Sequence, residues 1–185
     1  LRAARRIWSH AMRDRFNAKS DRSLLMRTHV QTAGCSLTEQ QPLNNIVRVA
    51  YQAMAGVLGG CQSLHTDSMD ETLGLPTETA VRVALRTQQI LAHETGVHRT
   101  VDPLAGSYFV ESLTDQMESD ANELINEIDG LGGVVQGIHK GYFRRSIAEA
   151  SYRFGQEMEA SDRIIVGVNA YPDGNDESQV ELLQI

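Results

Sequence analysis

Residues 24–76 read LLMRTHVQTAGCSLTEQQPLNNIVRVAYQAMAGVLGGCQSLHTDSMDETLGLP, and two short apolar runs within them each give way to polar side chains. The first, Leu24-Leu25-Met26, runs into Arg27-Thr28-His29-Val30-Gln31. The second follows Gly59-Gly60 and runs into Gln62-Ser63-Leu64-His65-Thr66-Asp67. Between them Ile46, Val49, Ala50, Ala53 and Val57 recur at helical spacing. Strand, helix, strand in that order predicts a parallel pair with a crossover helix. In sheets of that kind, polar residues at the carboxyl ends of the strands carry the chemistry.

The predicted strands cover residues 24–30 and 61–66. Ser36-Leu37-Thr38-Glu39 has capping-box spacing and Pro42 suits a helix start, so the crossover helix is expected to open there. Gly59-Gly60 stops it. Pro76-Thr77 opens a second helix, with Val81, Ala84, Leu85, Gln88 and Leu91 on one side and Gly96 at its close. Thr100-Val101 is a third, very short strand candidate, running into Asp102-Pro103-Leu104-Ala105-Gly106-Ser107. The strand starts fall roughly 36–40 residues apart, near the length of a βαβ unit, so a parallel barrel or a doubly wound sheet accounts for the rhythm. Upstream, Leu1, Ala4, Trp8, Ala11 and Met12 predict a helix through Lys19, broken at residues 20–23. Downstream, Leu113, Met117, Ala121, Leu124 and Ile128 predict a long helix ended by Gly130. Gly132-Gly133-Val134-Val135 reads as a loop or short strand, and Ile147, Ala150, Ser151, Phe154 and Met158 as a last helix. Residues 164–168 read as a final strand, and the polar, acidic tail from Pro172 is expected to be mobile.

A chain of 185 residues suffices for one domain with its own core, and 41% hydrophobic with 22% charged residues is an ordinary soluble balance. The net charge of -7 argues against nucleic acid or an anionic membrane as partner. Arg2, Arg5, Arg6, Arg13 and Arg15 crowd the first helix and read as a solvated face. Cys35 and Cys61 lack CxxC spacing, which argues against a disulfide framework or zinc site and fits a reducing compartment. No apolar run approaches the ~20 residues of a membrane span, and no signal-peptide pattern is present. Leu1 already lies inside a helical pattern, so the chain is expected to be a piece of a longer protein.

His93, Glu94 and His98 are spaced HExxxH, and residues five apart do not share a helix face, so no zincin site is expected. His29 and His65 lack a third ligand and are expected to hydrogen-bond rather than bind metal. There is no G-x-S-x-G elbow, P-loop or G-x-G-x-x-G cradle. Asp67, Asp70 and Glu71 cluster past the second strand, where carboxylates either accept from ribose hydroxyls or cap a helix; spacing leaves both open. Arg27, inside a predicted strand, would need an ion-pair partner or an anionic ligand if buried.

Arg27-Thr-His-Val-Gln-Thr-Ala-Gly, Ser36-Leu-Thr-Glu-Gln, Asn44-Asn-Ile-Val-Arg, Gly60-Cys-Gln-Ser-Leu-His-Thr and Asp70-Glu-Thr-Leu-Gly-Leu-Pro together resemble the methylmalonyl-CoA mutase large-subunit family. Residues 90–96, Asp102-Pro103 with Gly106-Ser107, and Val166-Gly-Val-Asn-Ala-Tyr continue the likeness in order to residue 171. The resemblance implies an α/β fold: the last three or so units of a (β/α)8 TIM barrel over residues 1–112, a helical and strand extension over 113–171, and a tail over 172–185. In that family an acyl-CoA threads the barrel axis and adenosylcobalamin covers its carboxyl end, supplying a radical that lets a group migrate between neighbouring carbons. The implied reaction is (R)-methylmalonyl-CoA to succinyl-CoA, with isobutyryl-, ethylmalonyl- and 2-hydroxyisobutyryl-CoA mutases as relatives. A non-catalytic truncated barrel fragment that associates with another chain is the alternative.

Carried over by position, the resemblance makes His29 and Gln31 active-site lining. It assigns Gln31, Gly34, Asp67, Glu71 and Gly74 to adenosylcobalamin, and His29, Gln62 and Ser63 to the acyl-CoA. Asp67 stands where many members have asparagine, and Cys35 where tryptophan is common. The Asp-x-His-x-x-Gly motif that ligates cobalt is missing, so no metal ligand is expected here. The implied partners are the remaining barrel and a cobalamin domain or subunit, within a homo- or heterodimer, in cytoplasm or, in a eukaryote, the mitochondrial matrix. Three parallel strands cannot close a barrel, so the isolated chain is expected to be poorly stable or to associate through its strand edges, and not to catalyse alone.

Overall fold

A computed structural model of the chain describes residues 1–172 and 174. Helix α1 (Arg2–His10) runs into a π-helical turn at Ala11–Arg15, and a short α2 (Asp21–Leu24) follows. Strand β1 (His29–Gln31) and strand β2 (Ser63–His65) are joined by α3 (Asn44–Leu58). Then come α4 (Glu78–His93), α5 (Tyr108–Gly130), α6 (Val134–His139) and α7 (Tyr142–Glu159). The strands pair in parallel with His29 opposite Ser63, Val30 opposite Leu64 and Gln31 opposite His65. The fold is a helix-rich α/β arrangement around a small parallel sheet.

Alternation along each strand turns Val30 and Leu64 toward α3. There Gly56 leaves room for them: a Cβ at that position would lie 3.1 Å from Val30 Cγ1 and 3.6 Å from Leu64 Cδ1. Val49 and Ala53 of α3 and Ala80, Ala84 and Leu91 of α4 are buried, mostly small side chains that let the helices lie close. Thr77 caps α4 by accepting from the Ala80 N–H, and Ser107 does the same for α5 through Val110.

Several elements differ from expectation, each for a local reason. Ser20 caps α2, which takes Leu24 into a helix, so the first strand is shorter than residues 24–30 and Leu25 is exposed. Arg27 is exposed too, without an ion pair among the described residues, so the requirement for a buried partner lapses. Residues 36–39 do not cap α3; Gly34–Ser36 form a 3-10 turn, and α3 starts where Asn44 and Asn45 donate to the Gln41 and Pro42 carbonyls. Thr100-Val101 is not a strand: Val101 is exposed, and Asp102 turns the chain with φ 47° before Pro103. Gly132 and Gly133, both at positive φ, lead into α6 rather than a strand. Residues 164–168 contribute only an isolated bridge, Val166 to Ala170, around a turn at Gly167. The acidic tail, apart from Pro172 and Gly174, lies outside the described residues.

The arginines of the first helix are not a plain solvated face. Arg2 meets Asp102 at 3.1 Å, Glu111 at 2.6 Å and the Thr114 hydroxyl at 2.8 Å. Arg6 meets Asp115 at 2.6 Å and Glu118 at 2.8 Å, and Arg15 meets Asp129 at 2.8 Å. Together they lace α1 to α5. Arg5 instead donates to the Gly59 carbonyl at 2.5 Å, a cation at the carboxyl end of α3. The Arg2 hydrogen bond, helped by the Gly106 N–H, holds the Glu111 carboxyl below its ordinary value of 4.5. A carboxyl lowered by folding stabilises above its unfolded value and ceases to as pH falls through the folded one. The melting temperature should therefore fall on acidification below pH 4.5, and Glu111→Gln should flatten part of that fall in a pH series of thermal melts.

Candidate functional site

The strand face opposite α3 carries His29, Gln31, Ser63 and His65. A closed parallel barrel ordinarily fills that face with branched apolar side chains; here it is polar. His29 Nδ1 lies 2.6 Å from Ser63 Oγ, a cross-strand pair in register. Just before the strands begin, Gln62 Oε1 accepts from the Thr28 N–H at 2.6 Å and the Thr28 hydroxyl at 3.2 Å. Gln62 immediately precedes β2 and Ser63 opens it, Ser63 lying about 7 Å along the strand from His65 at ~3.3 Å per residue. Of the predicted substrate residues, His29 and Ser63 open the strip; of the predicted cofactor residues, Gln31 ends it and the others lie on the loops beyond.

At the carboxyl tip Gln31 Nε2 donates to Asp67 Oδ1 and the Thr32 hydroxyl to Asp67 Oδ2, both at 2.9 Å. The Asp67 N–H returns a bond to Thr32 Oγ1 at 2.9 Å. Asp67 is 2% exposed. Its carboxylate is spoken for within the chain, with His65 Nε2 a further 3.7 Å from Oδ1. Behind it Asn45, fully buried, donates to the Thr38 and Met69 carbonyls and accepts from the Thr38 N–H and Arg48. Gln52 holds the first loop from the other side, accepting from the Ala33 N–H and donating to Ser36 Oγ, both at 2.6 Å.

The carboxylate cluster divides by burial. Asp70 is fully buried and its Oδ2 accepts from the Thr77 N–H at 2.8 Å and hydroxyl at 3.0 Å, so it serves the start of α4, as the capping reading expects. Its carbonyl accepts from Leu73 and Gly74, folding the loop tightly. That leaves Glu71 exposed, with no partner among the described residues. A Cβ on Gly34 would meet Glu71 Cγ at 3.5 Å and Asp67 Oδ2 at 3.7 Å, while Gly74 faces open space. A hollow of about 130 Å³ adjoins, lined in part by His65, Thr66, Ser68, Glu71 and Gln88. Ser68 Oγ and Asp70 Oδ1 are buried there or nearby without hydrogen-bond partners.

Gln31, Gly34, Asp67 and Glu71 are thus brought together, with Gly74 on the same loop as Glu71. Asp102 is drawn away to Arg2, beside a larger hollow of about 350 Å³ already crossed by ion pairs. Thr32, Asn45 and Gln52 were not singled out from sequence; no local pattern marks a polar residue whose partners come from another loop. Among the described residues no three His, Cys, Asp or Glu form a metal-binding group, and no helix is long and apolar enough to cross a membrane.

The geometry defines a βαβ segment with a polar strip on the strand face opposite α3. Comparison makes the class specific: the model of the methylmalonyl-CoA mutase family matches residues 1–185, and the chain belongs to that family. It is 50% identical over 185 residues to the methylmalonyl-CoA mutase of Rhizobium meliloti, covering 100% of this chain and 26% of that protein. The Escherichia coli methylmalonyl-CoA mutase is 50% identical over 181 residues, 97% of this chain and 25% of its own length. The human mitochondrial methylmalonyl-CoA mutase is 46% identical over 100% of this chain and 24% of its own. The chain spans about a quarter of the length of the curated relatives it matches.

Truncating Asn45 to Ala strands three backbone groups in a buried site, each worth about 1 kcal/mol or more. Urea denaturation should show Asn45→Ala destabilised by about 2–4 kcal/mol, against little change for Gln40→Ala on the exposed part of the same loop.

Proposed function

We propose that this chain is the carboxyl-terminal barrel segment of an adenosylcobalamin-dependent acyl-CoA mutase that converts (R)-methylmalonyl-CoA to succinyl-CoA. The observation that carries the reading is the polar strip of His29, Gln31, Ser63 and His65 where a barrel of packed core would be apolar. It suits an elongated ligand lying along the strands, and a CoA thioester has that shape.

The residues at the tip fit the cofactor. Gly34 and Gly74 leave space without side chains, and Glu71 keeps an unpaired, exposed carboxylate that can accept from hydroxyls. Asp67 fits less directly, since both of its oxygens are already bonded. When bound, adenosylcobalamin supplies the carbon radical that begins the rearrangement. The protein's part is to bind, orient and exclude water. His29 and Ser63, fixed to each other, present a donor and acceptor pair to the substrate within the strip. Gln62 keeps the two strands aligned at its amino end.

The remaining barrel and the cobalamin-binding part are partners in this reading, on the same polypeptide or another, within a dimer. Two free thiols, Cys35 and Cys61, suit a reducing compartment, the cytoplasm or a mitochondrial matrix.

Full-length protein containing this chain, joined or co-expressed with its cobalamin domain, should turn over methylmalonyl-CoA in preference to isobutyryl-, ethylmalonyl- and 2-hydroxyisobutyryl-CoA. Turnover of none of them would remove the proposal. Glu71→Ala should weaken adenosylcobalamin binding about tenfold, the worth of a hydrogen bond or two; unchanged affinity would reduce Glu71 to a loop residue.

A further inference from the structure

A segment far along the chain reaches back to the loop after β1. Arg48 Nη1 donates to the Thr38 hydroxyl and to Asn45 Oδ1, both at 2.8 Å, while Nη2 donates to the Val166 carbonyl at 2.7 Å. Thr38 gives its own hydroxyl hydrogen to the Gln40 carbonyl, so it can only accept from Arg48. Beside it, Gln41 Nε2 donates to the Tyr171 carbonyl at 2.9 Å. Gly167 is buried between these two bonds: a Cβ there would stand 3.0 Å from Gln41 Oε1, and its φ of 85° strains any side chain. The segment is stiff in itself. Asn169 accepts from the Ile165 N–H at 2.7 Å and donates to the carbonyls of Arg163 at 2.7 Å and Met158 at 3.2 Å, which knots it to the end of α7. Little apolar surface is buried where it sits, since Ile164, Val166 and Val168 all remain exposed.

We propose that residues 163–171 form a latch: seated on Gln41 and Arg48 they hold the loop after β1, and unseated they release it. Arg48 passes the constraint to Thr38 and Asn45, and Asn45 holds Thr38 and Met69 together. The latch therefore acts on the loop after β1 directly and on the loop after β2 through one side chain. A seat made of two hydrogen bonds and exposed aliphatic groups opens locally well before the whole fold does. A displacement of the residues that follow Tyr171 then reaches the loops that bear Gly34, Asp67 and Glu71 without touching those residues. This holds whatever ligand they meet.

The test is amide hydrogen exchange, read by mass spectrometry on full-length protein without added ligand, for wild type, Gly167→Val, Asn169→Ala and Arg163→Ala. Gly167→Val blocks the seat and Asn169→Ala undoes the knot, and neither alters the loop that the latch holds. In both, the amides of residues 37–46 should exchange about tenfold faster, with those of residues 66–74 moving in the same direction and α4 staying at the wild-type rate. Arg163→Ala loses its ion pair to Glu157 and its stacking over Phe154, and should leave both loops unchanged. Asn169 is half-buried, so its truncation keeps the test open if Gly167→Val does not fold. Residues 37–46 exchanging at the wild-type rate in a folded latch variant overturn the inference. So does an acceleration spread equally through α4, which marks a general loss of stability. The measurement contains neither cofactor nor substrate, so its outcome is separate from that of the proposed function.

Discussion

Asn45 occupies the first turn of α3 with no exposed surface, and each of its hydrogen-bonding positions is filled. Its amide hydrogens reach Thr38, in the loop after β1, and Met69, in the loop after β2. Two loops that are remote in sequence are therefore tied to one helix through one side chain. A carboxamide alone among side chains offers two donors and an acceptor in one plane. An acid or an aliphatic group of the same size would leave backbone carbonyls buried and unpaired. The relative placement of Gln31, Gly34, Asp67 and Glu71 follows from this tie, because each lies on or beside one of the loops it holds.

The sheet imposes a second constraint. Two strands give only Val30 and Leu64 to the helix side, and Gly56 lets α3 descend onto them. The buried apolar set is correspondingly small, while Tyr51, Tyr108, Phe109 and Ile147 remain largely exposed. Exposed apolar side chains and open strand edges of this kind are surfaces that packing ordinarily covers. The ion pairs between α1 and α5 work differently: they are partly solvated, and their value lies in fixing the register of two helices more than in stability.

How much of this was legible in the sequence depended on whether the signal was local. Helices α4, α5 and α7 came out where their apolar spacing and caps placed them, and the parallel pair with its crossover helix did too. The start of α3 did not, because Gly34–Ser36 and the Gln41–Asn44 turn compete with the capping box at residues 36–39. The strand expected at Thr100-Val101 failed because Arg2, a hundred residues away, holds Asp102 in a turn. Of the candidate site, family likeness points to Gln31, Gly34, Asp67 and Glu71, whereas Thr32, Asn45 and Gln52 gain their contacts only when loops meet.

Three acidic residues within five positions illustrate why spacing could not assign them. Asp67, Asp70 and Glu71 present the same carboxylate group, and each could have served as cap or ligand acceptor. Burial separates them. Asp70 loses all contact with water and turns to the N–H and hydroxyl of Thr77, near the positive end of α4. Asp67 is nearly as buried but faces β1, so its bonds go to Gln31 and Thr32. Glu71, one methylene longer and within the turn that the Asp70 carbonyl closes, is left exposed. The bonds of the two buried acids cannot be released without stranding donors, and of the three only Glu71 offers an unpaired carboxylate at the surface. What looks like one acidic cluster in sequence is thus two buried scaffold carboxylates and one exposed carboxylate.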